Sequence, residues 1–238
     1  MTNIENNKER LLKAFGATRV LSDEQFSFGQ QDYEAELYLE VTTPEELVVG
    51  ITTAREHDFP FHIIGNGFVP GDILSIPGLV IKNNCRKFAI LSMRGKTEEG
   101  GPEQIFVSAE SGVGLNQLIR FTIEEGLGGI ELFLGESGTV GDALAQNLVY
   151  EKKQDYVTGH IFTLRLLTKE NEVVEVTAEP FLYPLSQHII EKKQVIPLSV
   201  VFHLTPADKQ LLWKTGTEAA FERNQFDLMD PLKGNFIY

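Results

Sequence analysis

Glu125-Gly-Leu-Gly-Gly-Ile-Glu-Leu-Phe-Leu-Gly-Glu-Ser-Gly-Thr-Val-Gly141 reads as a helix stop, an apolar run and a second glycine turn. Upstream, residues 114–125 carry Leu115, Leu118, Ile119 and Ile123 at helical spacing, one apolar face of an amphipathic helix that Gly126 and its glycine neighbours end. Downstream, Ser137-Gly138-Thr139-Val140-Gly141 opens another helix. Small residues at a helix N-terminus leave backbone N–H groups open to an anion. The same residues also suit an ordinary capped helix, with Ser137 as N-cap and glycines for close packing.

Toward the N-terminus, Glu34-Ala-Glu-Leu-Tyr-Leu-Glu-Val41 alternates and predicts a strand with one wet face. Thr43-Pro-Glu-Glu-Leu47 is a helix start, with Thr43 as N-cap, Pro44 first and Glu46 third; Leu47, Val48, Ile51 and Ala54 point inward. Phe61-His-Ile-Ile64 predicts a short buried strand running into Gly65-Asn66-Gly67. Residues 34–67 therefore form a strand–helix–strand–glycine-turn unit, the skeleton of a parallel element. The turn at 65–67 is open to two readings, a phosphate cradle of backbone N–H groups or a tight β-turn. Two such glycine turns together point to a phosphate-bearing cofactor.

The remaining pattern mixes hairpins and helices. Residues 3–15 predict an amphipathic helix, with Ile4, Leu11, Leu12 and Phe15 on one face. Strands are predicted at 79–81, 88–93, 104–109, 158–168, 172–177 and 195–204, and helices near 185–193 and over 207–223, where Leu211, Leu212 and Trp213 suggest core. The fold class is α+β with two lobes. The sequence divides into an N-terminal βαβ lobe over 1–84, a second lobe over 85–206 and a C-terminal helix and tail over 207–238.

The chain has 238 residues, with 21 Lys+Arg against 34 Asp+Glu, a formal net charge of −13. That balance disfavours nucleic acid or an anionic membrane surface as partner. No run approaches the ~20 apolar residues of a membrane span. Residues 1–15 lack the apolar region of a signal peptide, which makes the cytoplasm the expected compartment. The single cysteine, Cys85, excludes a disulfide framework within the chain and reads as a bland thiol. The five histidines lack metal-ligand spacing and read as surface or packing residues, so no metal is expected. There is no Gly-x-Ser-x-Gly or Walker sequence.

At its glycine turns the chain resembles the UDP-N-acetylenolpyruvoylglucosamine reductase family, the MurB-type flavoenzymes of peptidoglycan synthesis. The likeness is collinear over about residues 25 to 206. Phe26-Ser-Phe-Gly29 is similar to the family's Asn-Thr-Phe-Gly, and residues 43–67 to its first βαβ unit and first pyrophosphate loop. Val107-Ser-Ala-Glu-Ser-Gly-Val113 resembles its Val-Gly-Ala-Gly-Val segment. The stretch 125–141 mirrors Gly-Leu-x-Gly-Leu-Glu-x-Leu-x-Gly-Ile-Pro-Gly-Thr-Val-Gly, and Gln146-Asn147 falls where the family has Met-Asn or Gln-Asn.

The resemblance implies the two-lobed FAD-binding fold of the vanillyl-alcohol-oxidase/MurB type. It implies FAD held by Gly65, Asn66, Gly67, Phe68, Ser137, Gly138, Thr139, Val140, Gly141 and Asn147. NADPH would reduce the flavin, and a UDP-sugar would be the family's acceptor. Tyr183 and Asn235 fall at family catalytic positions.

Departures are concentrated at these sites. Phe68-Val69 stands where the family has Ser-Asn after the first loop, and Pro70, which follows, has no N–H. Glu136 and Asp142 add carboxylates beside the second turn. Pro184 stands at the family's substrate-polarising arginine, and Asn235 at its proton-donating serine. The residues after 206 read as the start of the family's substrate domain, and the rest of that third domain is expected to be missing from this chain. Three functions stay open: a flavoenzyme with the family's own reductase activity, a divergent FAD-dependent oxidoreductase with another acceptor, or a non-catalytic relative that has lost flavin and serves as a binding or structural module.

Overall fold

The computed structural model describes residues 3–16, 19–28, 31–65, 75–95, 103–177 and 195–229. Two compact units emerge, Met1–Arg86 with Glu170–Glu172, and Lys87–Lys169 with Val173–Tyr238.

The first unit begins with helix α1 (Asn3–Phe15), which buries Leu11, then strands β1 (Val20–Phe28) and β2 (Gln31–Val41), paired antiparallel. Helix α2 (Pro44–Arg55) starts as its sequence predicts: Thr43 is the N-cap and its hydroxyl accepts from the Glu46 N–H. It buries Leu47, Ile51 and Ala54, while Val48 is only half-buried, turned off the sheet-facing stripe. Strands β3 (Phe61–Ile64) and β4 (Ser75–Asn83) follow, and the sheet order is β1-β2-β4-β3.

The expected parallel unit is present, but β4 lies between its two strands and pairs parallel with both. That places β3 at the sheet edge, so only Ile64 of its four residues is buried, against the expectation of a fully buried strand. Strand β2 keeps the predicted alternation, with Ala35, Leu37, Leu39 and Val41 buried. Cys85 is buried as well.

The second unit is built on a sheet of order β11-β10-β12-β6-β5. Its strands are β5 (Phe88–Gly95), β6 (Gln104–Glu110), the short β7 (Leu127–Gly128), β8 (Val149–Tyr150) paired with β9 (Asp155–Tyr156), β10 (Ile161–Leu167), β11 (Val173–Thr177) and β12 (Ile196–Pro206). Strand β10 starts later than its sequence suggests, because Val157–His160 forms a 3₁₀ turn. Helix α3 (Leu115–Glu124) lays Leu115, Leu118, Ile119 and Ile123 into one core with Val107, Phe133 and Phe202. Each of those aliphatic side chains contributes about 1.5–3 kcal/mol of gross burial free energy.

Helix α4 (Val140–Ala145) follows, and α5 (Lys209–Met229) closes the described chain. On α5, Leu212 is buried and Trp213 packs on the core, but Leu211 is 59% exposed, so only part of that apolar triplet is core. The predicted helix near 185–193 lies outside the described residues. Among the described residues no helix is long and apolar enough to cross a membrane.

Candidate functional site

The turn at 137–141 is stitched to the turn that precedes α3. Val140 N–H donates to the Val113 carbonyl at 2.8 Å, Gly141 N–H to the Ser111 carbonyl at 2.8 Å, and Leu115 N–H to the Gly138 carbonyl at 3.1 Å. Two sequence motifs far apart in the chain thus form one corner. Gly141 suits this closeness: a Cβ there would lie 3.0 Å from the Ser111 carbonyl oxygen, a tighter contact than Cβ atoms ordinarily make.

The N-cap of α4 is Thr139, not Ser137. Thr139 and Asp142 form a reciprocal capping box, in which the Thr139 N–H donates to Asp142 Oδ2 at 2.7 Å and the Asp142 N–H to Thr139 Oγ1 at 3.2 Å. The Thr139 hydroxyl donates to the same carboxylate oxygen at 2.8 Å. The signal was in the sequence, as Thr-x-x-Asp is a capping-box spacing. Gly138 turns with φ +95°, and the space a Cβ would take is filled by Asp142 Oδ2 at 3.0 Å.

These bonds decide what the turn can offer. The N–H groups of Thr139, Val140, Gly141 and Asp142 are all spent inside the protein. Among the described residues, those of Ser137 and Gly138 find no acceptor, and Ser137 is exposed. Two successive N–H groups and the Ser137 hydroxyl are therefore the donors this corner can give an anion.

Neither added carboxylate is a bare charge. Asp142 is held in its own cap. Glu136 Oε1 lies 2.8 Å from Arg223 Nε on α5, and Arg223 also donates to the Leu132 and Leu134 carbonyls. Arg223 stacks its guanidinium 5.9 Å from the Tyr150 ring centre, and the Tyr150 hydroxyl donates to Glu222 at 2.5 Å. That bond holds the Tyr150 phenol above its ordinary range.

Asn147 sits at φ +46° just past α4 and is buried. Its Oδ1 accepts from the Thr158 hydroxyl at 2.9 Å, which gives the side chain a structural bond inside the unit.

In the first unit, Gly65 follows β3, and the Lys82 ammonium of β4 donates to its carbonyl. Asn66, Gly67 and Phe68 lie outside the described residues, as do Tyr183 and Asn235. The structure brings Ser137, Gly138, Thr139, Val140 and Gly141 together and sets Asn147 at the far end of the same short helix. The contribution of Arg223 was not readable beforehand, because nothing in the sequence ties α5 to the 132–136 segment.

The family described as FAD binding domain matches residues 35–177. Among curated proteins, the chain is 28% identical to the UDP-N-acetylenolpyruvoylglucosamine reductase of Exiguobacterium sibiricum, over 75% of this chain and 55% of the relative. It is 24% identical to the reductase of the same name from Geobacillus thermodenitrificans, over 94% of this chain and 70% of the relative. The chain thus spans little more than half the length of the first of these. Among solved structures, the Thermus caldophilus UDP-N-acetylenolpyruvylglucosamine reductase (MurB) superposes with a TM-score of 0.58 at 18% identity, covering 82% of this chain and 64% of that one.

Proposed function

Since the chain belongs to the FAD binding domain family and is of its MurB type, we propose that it binds FAD and works as a flavin-dependent oxidoreductase related to UDP-N-acetylmuramate dehydrogenase. The fold is the α+β, vanillyl-alcohol-oxidase/MurB type. The observation that carries the reading is the disposition of the two extra carboxylates. Glu136 is paired with Arg223 and Asp142 with Thr139, which leaves the Ser137 and Gly138 N–H groups as donors not opposed by a bare negative charge.

Ser137 and Gly138 would hold an FAD phosphate oxygen. Val140 and Gly141 keep the corner rigid through Val113 and Ser111, and Asn147 anchors the other end of α4. Gly65, Asn66, Gly67 and Phe68 are assigned to FAD phosphate in this reading on the sequence resemblance alone. FAD, when bound, supplies the two-electron carrier that no side chain can provide. NADPH is the proposed reductant, and the cytoplasm the proposed compartment. The acceptor is a small molecule that does not rely on a guanidinium beside Tyr183, because Pro184 stands there. An enolpyruvyl UDP-sugar is the family's acceptor against which this is measured.

A second reading has its own support. The four N–H groups of Thr139 to Asp142 are spent internally, which suits a relative of the same fold that has lost flavin and serves as a binding or structural module.

One experiment separates the two. The purified chain is incubated with FAD, desalted, and read by visible absorption and flavin fluorescence, then titrated anaerobically with NADPH. Retained flavin that bleaches with NADPH is the expected result. A chain that emerges colourless overturns the oxidoreductase reading and leaves the flavin-free one. Retained flavin that NADPH leaves oxidised removes NADPH from the proposal and keeps FAD.

A further inference from the structure

The 3₁₀ turn Val157–His160 is held at its two ends by different chemistry. Its first half is tied by groups that do not titrate: the Val157 N–H donates to the Leu148 carbonyl at 2.9 Å, and the Thr158 hydroxyl to Asn147 Oδ1 at 2.9 Å. Its second half is tied by imidazoles. His203 on β12 donates to the Gly159 carbonyl, and His160 Nε2 lies 2.9 Å from Asp155 Oδ1 on β9. A carboxylate only accepts, so Nε2 of His160 carries a proton whether the ring is neutral or charged. Gly159 is exposed, and a Cβ added to it would meet nothing within 4 Å, which leaves this half of the turn room to move outward.

The two rings are neighbours, with centroids 6.5 Å apart. His203 is half-buried; burial first, and then a protonated His160, hold it below the ordinary imidazole range. Among the described residues His203 forms no ion pair. Its partner across β6 is Phe106, and β10 pairs Ile161 with the neighbouring Phe202. The start of α5 brings Leu211, Leu212 and Thr215 to the cleft that His203 lines, and β7 brings Gly128. Two carboxylates stand nearby, and both are engaged: Asp155 by His160, and Glu131 by the Gly129 N–H, which donates to its Oε2 at 2.6 Å.

Two like charges this close and partly out of water repel, and separation relieves them. We propose that His160 and His203 form an acid-operated release: when both rings carry a proton, Gly159 and His160 part from β12 while Val157 and Thr158 stay anchored. The direction follows from linkage. An opened turn hydrates His203 and returns it to the ordinary value of 6.5, so as pH falls below that value the opened state takes up the second proton more readily than the docked one, and acid favours opening.

The test is amide hydrogen exchange on the whole chain at about pH 7.5 and about pH 5, corrected for the intrinsic effect of pH, with the imidazole resonances titrated in parallel. The Ile161 N–H, which closes the turn on the Thr158 carbonyl, reports the released half, and the Val157 N–H is the reference in the anchored half. Ile161 is expected to lose about tenfold in protection relative to Val157 at the acidic pH, over the range in which His203 takes up its proton. His203→Gln keeps a donor for the Gly159 carbonyl but cannot be charged, and its relative loss is expected to stay within about twofold. His160→Gln removes the repelling charge and should shrink the loss while moving His203 back toward the ordinary range. Glu131→Gln should leave the loss in place. The proposal is overturned if Ile161 and Val157 lose protection equally in the parent chain, if the loss comes where His203 is still neutral, if His203→Gln or His160→Gln retains it in full, or if Glu131→Gln abolishes it.

Discussion

Arg223 and Glu136 join the last described helix to the approach of the glycine turn, with Nε 2.8 Å from Oε1. The pair is about three-quarters buried at both side chains, 21% and 25% exposed, and the same guanidinium holds the Leu132 and Leu134 carbonyls. One arginine thus neutralises the carboxylate nearest Ser137 and fixes the backbone leading to it. Arg223→Met is expected to cost about 2 kcal/mol of stability, because charge-assisted bonds are lost and Glu136 is left partly buried and unpaired. It is also expected to weaken FAD about five- to tenfold, through the exposed negative charge. Arg223→Met with Glu136→Gln should recover the FAD affinity but not all of the stability. Chemical denaturation and flavin fluorescence titration of the three variants check this; equal FAD affinity in all of them would remove charge neutralisation as the role of Arg223.

Asp142 is a different case, since its side chain serves the helix it begins. Asp142→Ala is expected to destabilise by about 1 kcal/mol, the ordinary cost of a lost cap interaction. FAD affinity should stay within about twofold, because a carboxylate that accepts from Thr139 N–H and Oγ1 is not aimed at the free donors of Ser137 and Gly138. Thermal unfolding followed with and without FAD measures both quantities. A large gain in FAD binding would show that the Asp142 charge reaches the phosphate after all.

Asn147 combines a left-handed backbone with a buried bond to Thr158. Asn147→Gly keeps the backbone accessible and loses the bond, while Asn147→Ala loses both. The expected losses are about 1 kcal/mol for glycine and about 2 for alanine. If Asn147 only anchors α4, FAD affinity falls in step with stability in the two variants. A loss of FAD binding in Asn147→Gly with stability unchanged would make it a cofactor contact instead. Paired melting curves and FAD titrations give the comparison.

Local signals carried much of this fold. The Thr43 cap, the alternation from Glu34 to Val41 and the apolar face of 115–123 each depend on residues within a turn or two of one another, and each appears as read. What failed was non-local or irregular. Strand β1 was invisible because Ser22-Asp-Glu-Gln25 has no apolar alternation, and its partner β2 supplies the pairing. The position of β4 between β2 and β3 depends on pairing that no local pattern encodes. The N-cap was placed two residues early, since Ser137 and Thr139 are equally good caps alone; only the Asp142 side chain decides between them. At the site, the glycines were legible, but the partner of Glu136 is set by a helix distant in sequence.

The first unit carries the clearest pH dependence. Glu46, the third residue of α2, accepts from Arg19 at 2.5 and 2.8 Å and from the Thr42 N–H at 2.8 Å. The Arg19 hydrogen bond is the main cause that holds its carboxyl at about 2, below the ordinary 4.5. A carboxylate depressed in the folded state stabilises the fold fully above pH 4.5, and that contribution is lost as pH falls through 4.5 toward 2. With about a third of Arg19 and a quarter of Glu46 exposed, solvent screening leaves a contribution of about 1–2 kcal/mol. Glu46→Gln should therefore lower stability near neutral pH by about that amount and flatten the fall in stability across this acidic window. Urea unfolding of the parent and Glu46→Gln chains at a series of acidic pH values measures both. Parallel curves, offset but with the same slope at every pH, would place the acid sensitivity in other carboxylates.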